Sequence, residues 1–137
     1  MPNTLKLEIV TPEAKTFSDD VEMVTLPGIE GEMGVYPQHV PLMTQLVPGE
    51  ITVRKDGQDL YLAVGEGFVE ITAEKVAILT DMAVRSEQID EAKAEEVRQK
   101  AAARLAENLD AEEYARVSAA LAESMAQLHV KRRHRNK

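Results

Sequence analysis

Two hydrophobic periods divide the chain. In the first half, apolar and polar residues alternate in short runs, as half-buried strands do. Leu5-Lys6-Leu7-Glu8-Ile9-Val10 is one such run, and Thr11-Pro12-Glu13 ends it. Phe17-Ser18-Asp19-Asp20 reads as a turn, and Val21 to Leu26 as a second strand. Leu42 to Val47, Ile51 to Arg54 and Leu60 to Val64 follow, the last two flanking Lys55-Asp56-Gly57-Gln58. Asp-Gly favours the hairpin turn whose twist matches that of the strands. Gly65-Glu66-Gly67 marks a corner or bulge, and Phe68 to Thr72 and Val76 to Thr80 flank the turn Ala73-Glu74-Lys75. Many short strands bounded by Gly, Pro or Asp, with no helix between them, predict an antiparallel β-sandwich over residues 1–85.

After Arg85 the period lengthens. From about Ile89 the chain has neither Gly nor Pro and is rich in Ala, Glu, Lys, Arg and Leu, which are strong helix formers. Ser86 or Asp90 can cap a first helix with the stripe Ile89, Ala92, Val97, Ala101 and Leu105, ending near Asn108-Leu109. Asp110 followed by Glu113 resembles a capping box and opens a second helix with the stripe Tyr114, Val117, Leu121, Met125 and Leu128. Two helices of roughly 30 Å each, joined by one or two residues, predict an antiparallel α-helical hairpin over residues 86–137. Its alanine-rich stripes bury little area, so it is expected to dock weakly and to be able to open.

The run Leu26-Pro27-Gly28-Ile29-Glu30-Gly31-Glu32-Met33-Gly34-Val35-Tyr36-Pro37-Gln38-His39-Val40-Pro41-Leu42 separates the early strands from the later ones. Its glycines and prolines make corners, not a helix. A phosphate cradle would need the last glycine to open a helix; Val35-Tyr36-Pro37 is extended instead.

Composition narrows the chemistry. The 137 residues hold no cysteine, which excludes disulfides and thiolate metal sites. The first residues lack the apolar core of a signal peptide, and no segment has the roughly 18 apolar residues of a membrane span. The net charge is −8, yet five of the sixteen basic residues lie in the last seven positions: Lys131, Arg132, Arg133, Arg135 and Lys137. An acidic body with a basic tail is a poor nucleic-acid binder. The tail reads either as a solubilising end or as a contact for an acidic protein surface. His39 lacks a second His or Cys at metal-ligand spacing and reads as a corner residue or an interface contact. Asp19, Asp20 and Glu22 read as a solvated turn rather than a cation site. Glu30 and Glu32 flank Gly31 at an expected loop tip, where a partner could dock. No acid–base, nucleophile or metal constellation is visible, so no catalytic residue is assigned.

The glycine–proline run, Gly65-Glu66-Gly67-Phe68-Val69-Glu70, Val76 to Asp81, and Tyr114-Ala115-x-x-Ser118-Ala119-x-Leu121 with Ala126-Gln127-Leu128 resemble the epsilon subunit of bacterial rotary (F-type) ATP synthases over essentially the whole chain. The resemblance implies a non-catalytic subunit of the central stalk, peripheral on the cytoplasmic side of the cell membrane. It implies a sandwich that binds the gamma subunit and the c-ring, with Glu30, Gly31 and Glu32 facing the ring and His39 near gamma. It also implies helices that extend into the catalytic head, formed by the alpha and beta subunits, and inhibit ATP hydrolysis. Arg98, Lys100, Arg104, Arg116, Lys131, Arg132, Arg133 and Arg135 are then the candidates for contact with the beta subunit.

Some family members bind ATP through Ile/Leu-Asp-x-x-Arg-Ala and arginines on the second helix. Here the motif reads Ile89-Asp90-Glu91-Ala92-Lys93-Ala94, and Glu123 and Gln127 stand where the arginines are expected. An ammonium does not reproduce the planar guanidinium fork, so ATP binding by Ile89, Asp90, Lys93, Ala94 and Lys100 is expected to be weak or absent. The alternatives are a free-standing nucleotide-sensing module and an unrelated sandwich enzyme.

Overall fold

A computed structural model describes residues 4–135. The strands are β1 (Leu5–Val10), β2 (Lys15–Val21), β3 (Met23–Gly28), β4 (Gly31–Val35), β5 (Leu42–Leu46), β6 (Gly49–Lys55), β7 (Gln58–Val64), β8 (Gly67–Ile71), β9 (Lys75–Thr80) and β10 (Ala83–Arg85). A short 3-10 turn, Ser86–Gln88, leads to α1 (Glu91–Leu105) and α2 (Ala111–His134). The strands pair in the order β10-β7-β6-β3-β5-β8-β9-β1-β2, with β4 beside β3. This path folds over one core, and Leu7, Ile9, Val24, Leu26, Val53, Val69 and Ile78 are among its fully buried residues.

The expected β-sandwich and helical hairpin are present, with informative departures. Among the described residues all the strand pairs are antiparallel except β1 with β9, where Lys6 to Val10 run parallel to Lys75 to Leu79. Phe17 to Asp20 is strand, not turn: β2 pairs with β1 from Leu5↔Val21 to Val10↔Lys15. Phe17 and Val21 point into the core, while Asp19 is paired with Lys55 on β6. Ser18 and Asp20 are the outer positions of this alternating strand, and Asp19 shares the inward side with Phe17 and Val21 but is half-exposed and meets Lys55. Glu22 follows β2, and its carboxylate accepts from the Gly57 amide at 2.9 Å.

The glycine–proline run is a hairpin. Gly28 pairs with Gly31 across a two-residue tip of Ile29 and Glu30, and Gly31 takes φ 131°, which a side chain would strain. The Asp56-Gly57 turn between β6 and β7 has positive φ at both residues, 53° and 75°, as its twist requires.

Asp90 caps α1 and Asp110 caps α2, each accepting from the amide three residues on. The helices are unequal, 15 and 24 residues, or about 22 and 36 Å, and five residues rather than one or two connect them. Helix α2 continues through the basic run to His134, so the tail is helical; Lys137 lies outside the described residues. The buried stripes also differ from expectation. Ile89, Ala101 and Leu128 are buried as expected, but Ala92, Val97, Tyr114 and Met125 are exposed, and Ala94, Ser124, Ala126, Val130 and His134 are buried outside the expected stripes. Helix α2 packs on α1 and also on β6 and β7. It therefore buries two faces, and the close approach favours small residues over the bulky stripe.

Candidate functional site

Alternation along β6 and β7 sends Ile51, Val53, Leu62 and Val64 into the core and leaves Glu50, Tyr61 and Ala63 on the outer face. There α2 docks. Ala63, Ile89 and Val130 are buried together, with Tyr61, Met82 and Val84 half-buried around them. This apolar seam is small. A polar cluster closes one end of it: the His134 ring stacks on Tyr61 at 3.5 Å and 8°, and its Nε2 donates to Glu50 Oε1 at 2.7 Å. The other ring nitrogen, Nδ1, is buried with no hydrogen-bond partner among the described residues.

The basic residues of the tail fan out around the helix, because successive positions turn by about 100°. Lys131 donates to the Ser86 carbonyl at 3.2 Å. Arg132 bridges Glu91 and Glu95 on α1 at 2.9 and 3.0 Å. Arg133 reaches Glu50 at 3.4 Å, and Arg135 meets Glu91 at 3.0 Å. The guanidinium of Arg132 and then the Arg135 charge hold the Glu91 carboxyl below the usual range. Arg98 and then Arg132 do the same for Glu95. Earlier along the hairpin, Arg98 pairs with Glu95 at 2.5 Å, Lys100 with Glu96 at 2.9 Å, and Arg104 with Glu107 and Glu113 at 3.0 Å. Arg116 is exposed, and no ion pair among the described residues includes it. Glu50 and Tyr61 carry no local sequence signal, and the inward position of His134 is not evident from the basic run it lies in. One signal was available: His134 stands four residues after Val130, on the face that turns inward.

The residues of the nucleotide motif are only partly gathered. Asp90, Lys93 and Ala94 share a cavity of about 180 Å³ with Val97, Ala120, Glu123, Ser124 and Gln127. Ile89 is buried in the seam against Ala63 and Val130, and Lys100 is tied to Glu96 on an exposed face. Drug-sized ligands occupy pockets of about 300–1,000 Å³, so this cavity is small. Glu123 brings a carboxylate into it, and burial, then the charges of Asp81 and Glu66, push that carboxyl above its usual range.

At the sandwich, Glu30, Gly31 and Glu32 are exposed at the β3–β4 tip. His39 lies beyond the far end of β4, with Nδ1 2.6 Å from the Val40 carbonyl oxygen. Five strand residues, about 17 Å, separate the two places. Between them the outer face of β5, β8 and β9 is bare: Met43, Phe68 and Leu79 are 67%, 56% and 58% exposed. Phe68 pairs with Leu79 across the sheet, while Gln45 stands opposite Phe68 and Glu70 opposite Met43, so the apolar surface is centred on Phe68 and Leu79. It runs into a groove of about 600 Å³ near the β3–β4 tip, lined by Ile29, Val47 and Pro48 as well as Phe68 and Leu79. Asp19 and Glu22 are engaged by Lys55 and the Gly57 amide. No group of three or more potential metal ligands occurs among the described residues. No described helix is long and apolar enough to cross a membrane.

The family description "ATP synthase, Delta/Epsilon chain, beta-sandwich domain" matches residues 4–86. Its companion, "ATP synthase, Delta/Epsilon chain, long alpha-helix domain", matches residues 87–132. The ATP synthase epsilon chain of Herpetosiphon aurantiacus is 38% identical over 133 residues, covering 97% of this chain and 98% of that one. The epsilon chain of Chloroflexus aggregans is 41% identical over 133 residues, with 97% and 96% covered. A chain in the mitochondrial ATP synthase structure of Euglena gracilis, comprising OSCP, F1 and c-ring, superposes with a TM-score of 0.76 at 26% identity, over 94% of this chain and 81% of that one. The chain belongs to the ATP synthase delta/epsilon family.

Proposed function

We propose that this chain is the epsilon subunit of the central stalk of a rotary, proton-translocating ATP synthase, without an active site of its own. Its sandwich couples gamma to the c-ring, and its helical hairpin brakes ATP hydrolysis. The bare face of Met43, Phe68 and Leu79, with the His39 corner, takes gamma. Monomeric proteins rarely leave an apolar patch of this kind in water. The acidic β3–β4 tip at Glu30, Gly31 and Glu32 faces the c-ring. As part of that complex the chain is peripheral, on the cytoplasmic side of the cell membrane. Arg98, Lys100, Arg104, Arg116 and the tail cations engage acidic surface of the beta subunit, near alpha, when the helices extend.

The observation that carries this reading is the contrast between two interfaces. The sandwich has a full apolar core of its own, whereas the hairpin rests on it through a small apolar seam and a rim of ion pairs. The seam is small, and the ion pairs of Arg132, Arg133 and Arg135 reach water, where such pairs contribute little, so the hairpin is separable from a platform that stays folded. The test is ATP hydrolysis by a matching alpha-beta-gamma complex, with the full chain and with a chain ended after Arg85. The expected result is inhibition by the full chain alone, with both forms bound. Equal inhibition by both, or binding by neither, would sink the proposal.

ATP binding is weak or absent on this reading. The cavity around Lys93 is small and holds the Glu123 carboxylate, which repels phosphate. Calorimetric titration of the chain with ATP separates it from a nucleotide-sensing module, for which micromolar binding would be required.

A further inference from the structure

The strand path has two ends, β10 and β2, and no backbone pairing among the described residues joins them. Side chains close the gap instead. The Arg85 guanidinium, on β10, lies over the ring of Phe17 on β2, 5.3 Å from its centre. Beside it Lys55, at the end of β6, meets Asp19 on β2. Lys55, the Asp20 amide and then the Arg85 charge hold the Asp19 carboxyl below its usual range. Phe17 is 4% exposed and belongs to the core, so Arg85 reaches from one end of the path onto the buried surface of the other.

Strand β10 needs such a hold. It has three residues, Ala83–Arg85, and pairs with β7 alone; so short a ladder is marginal by itself. Alternation gives it two faces. Ala83 packs on the core. Val84 points the other way, into the seam of Ala63, Ile89 and Val130 under the hairpin. Arg85 returns to the inner side. A departing hairpin therefore strips the outer face of β10, and Ala83 and Arg85 are the side chains left to hold the strand.

We propose that Arg85 is a positioning residue for the hinge. Its guanidinium on Phe17 pins β10 to the sandwich, so that the hairpin turns about Ser86–Gln88 and takes no strand with it. Those three residues make a tether of at most about 10 Å. Loss of β10 would add three more and double the reach. The clamp thus fixes where α1 starts relative to the sandwich, whichever way the hairpin points. A cation over a half-buried ring face is held more strongly than one in open water. The hold persists when the hairpin leaves, because neither Arg85 nor Phe17 belongs to the seam. The inference deepens the separable hairpin proposed above and rests on it for its use, but the clamp itself is a property of the isolated chain.

Backbone amide exchange on the full chain, read residue by residue, tests this. Val130→Asp puts a charge into the seam and lifts the hairpin; Ile89→Asp is a second way to do so. In each lifted background Arg85 is compared with Arg85→Met, which keeps an apolar stem without charge, and with Arg85→Lys, which keeps a cation. Phe17→Leu keeps the core filled and removes the ring. With Arg85 and Phe17 in place, β10 amides are expected to keep their protection when the hairpin lifts. Arg85→Met and Phe17→Leu should each make β10 exchange about tenfold faster, with β8 and β9 unchanged. The two together should be no faster than either alone, and Arg85→Lys should stay close to the parent. Loss of β10 protection on lifting alone, full protection with Arg85→Met, or equal loss in β8 and β9 would overturn the clamp. No ATPase enters the measurement, so a failed clamp and a failed braking function are told apart.

Discussion

The carboxylate of Glu123 lies against the bare α-carbon of Gly65, so close that a β-carbon there would stand 2.9 Å from Oε2. Here α2 lies over the end of β7 through the flexible end of one side chain. The same contact half-buries an acid beside Glu66 and Asp81, and its carboxyl is pushed up, first by burial and then by those charges. A raised carboxyl binds its proton more tightly docked than undocked. Docking is thus unpenalised below the ordinary carboxylate range, loses strength as pH rises through the raised value, and carries the full penalty above it. Glu123→Gln should dock more firmly than the parent at neutral pH and equally at pH below that range. A dye pair across the sandwich and α2 measures this; a difference unchanged by pH would contradict it.

Gly67 is a stricter requirement. A β-carbon there would fall 1.9 Å from the Leu79 carbonyl oxygen, which belongs to the paired β9 backbone and cannot turn aside. Gly67→Ala should lower stability by about 3 kcal/mol or more, seen as an earlier urea midpoint. A shift under half of that would mean the strands can spread.

The two caps make equal claims on opposite ends of the hairpin. Asp90 accepts from the Lys93 amide at 3.1 Å and Asp110 from the Glu113 amide at 2.8 Å. Asp90→Ala and Asp110→Ala should each cost about 1 kcal/mol of helix stability. Helical circular dichroism on heating should fall earlier, while strand amide protection stays unchanged.

On the bare sheet face, Phe68→Ser with Leu79→Ser should leave the fold within about 0.5 kcal/mol of the parent, because both side chains already face water. Capture of purified gamma by the chain should fall at least tenfold. Full capture by the double variant would move the gamma contact elsewhere, and a large loss of stability would show that the face belongs to the core.

Much of this was legible locally. Leu5 to Val10 alternates and is strand; Asp56-Gly57 demands positive φ and has it; Asp90 and Asp110 are cap residues and cap. Phe17 to Asp20 misled because Ser and Asp favour turns by bonding their own backbone. In the fold, Asp19 finds Lys55, which is 36 residues away. The helix stripes misled because a stripe is drawn for one buried face, and α2 has two. Of the candidate contacts, the basic residues were found by charge alone, but their partners Glu50, Glu91 and Glu95 look like any other surface acids.

The sequence by itself determined the two periods, the corners, the caps and the family, because each depends on neighbours within a few residues or on residue types in a fixed order. Tertiary structure alone decided the parallel join of β1 to β9, which sheet face the hairpin covers and which it leaves bare, and the meeting of Glu50 with His134 across 84 residues. Such contacts rest on how the whole chain closes over its core: alternation names two faces for every strand, and only the packed fold says what lies on each.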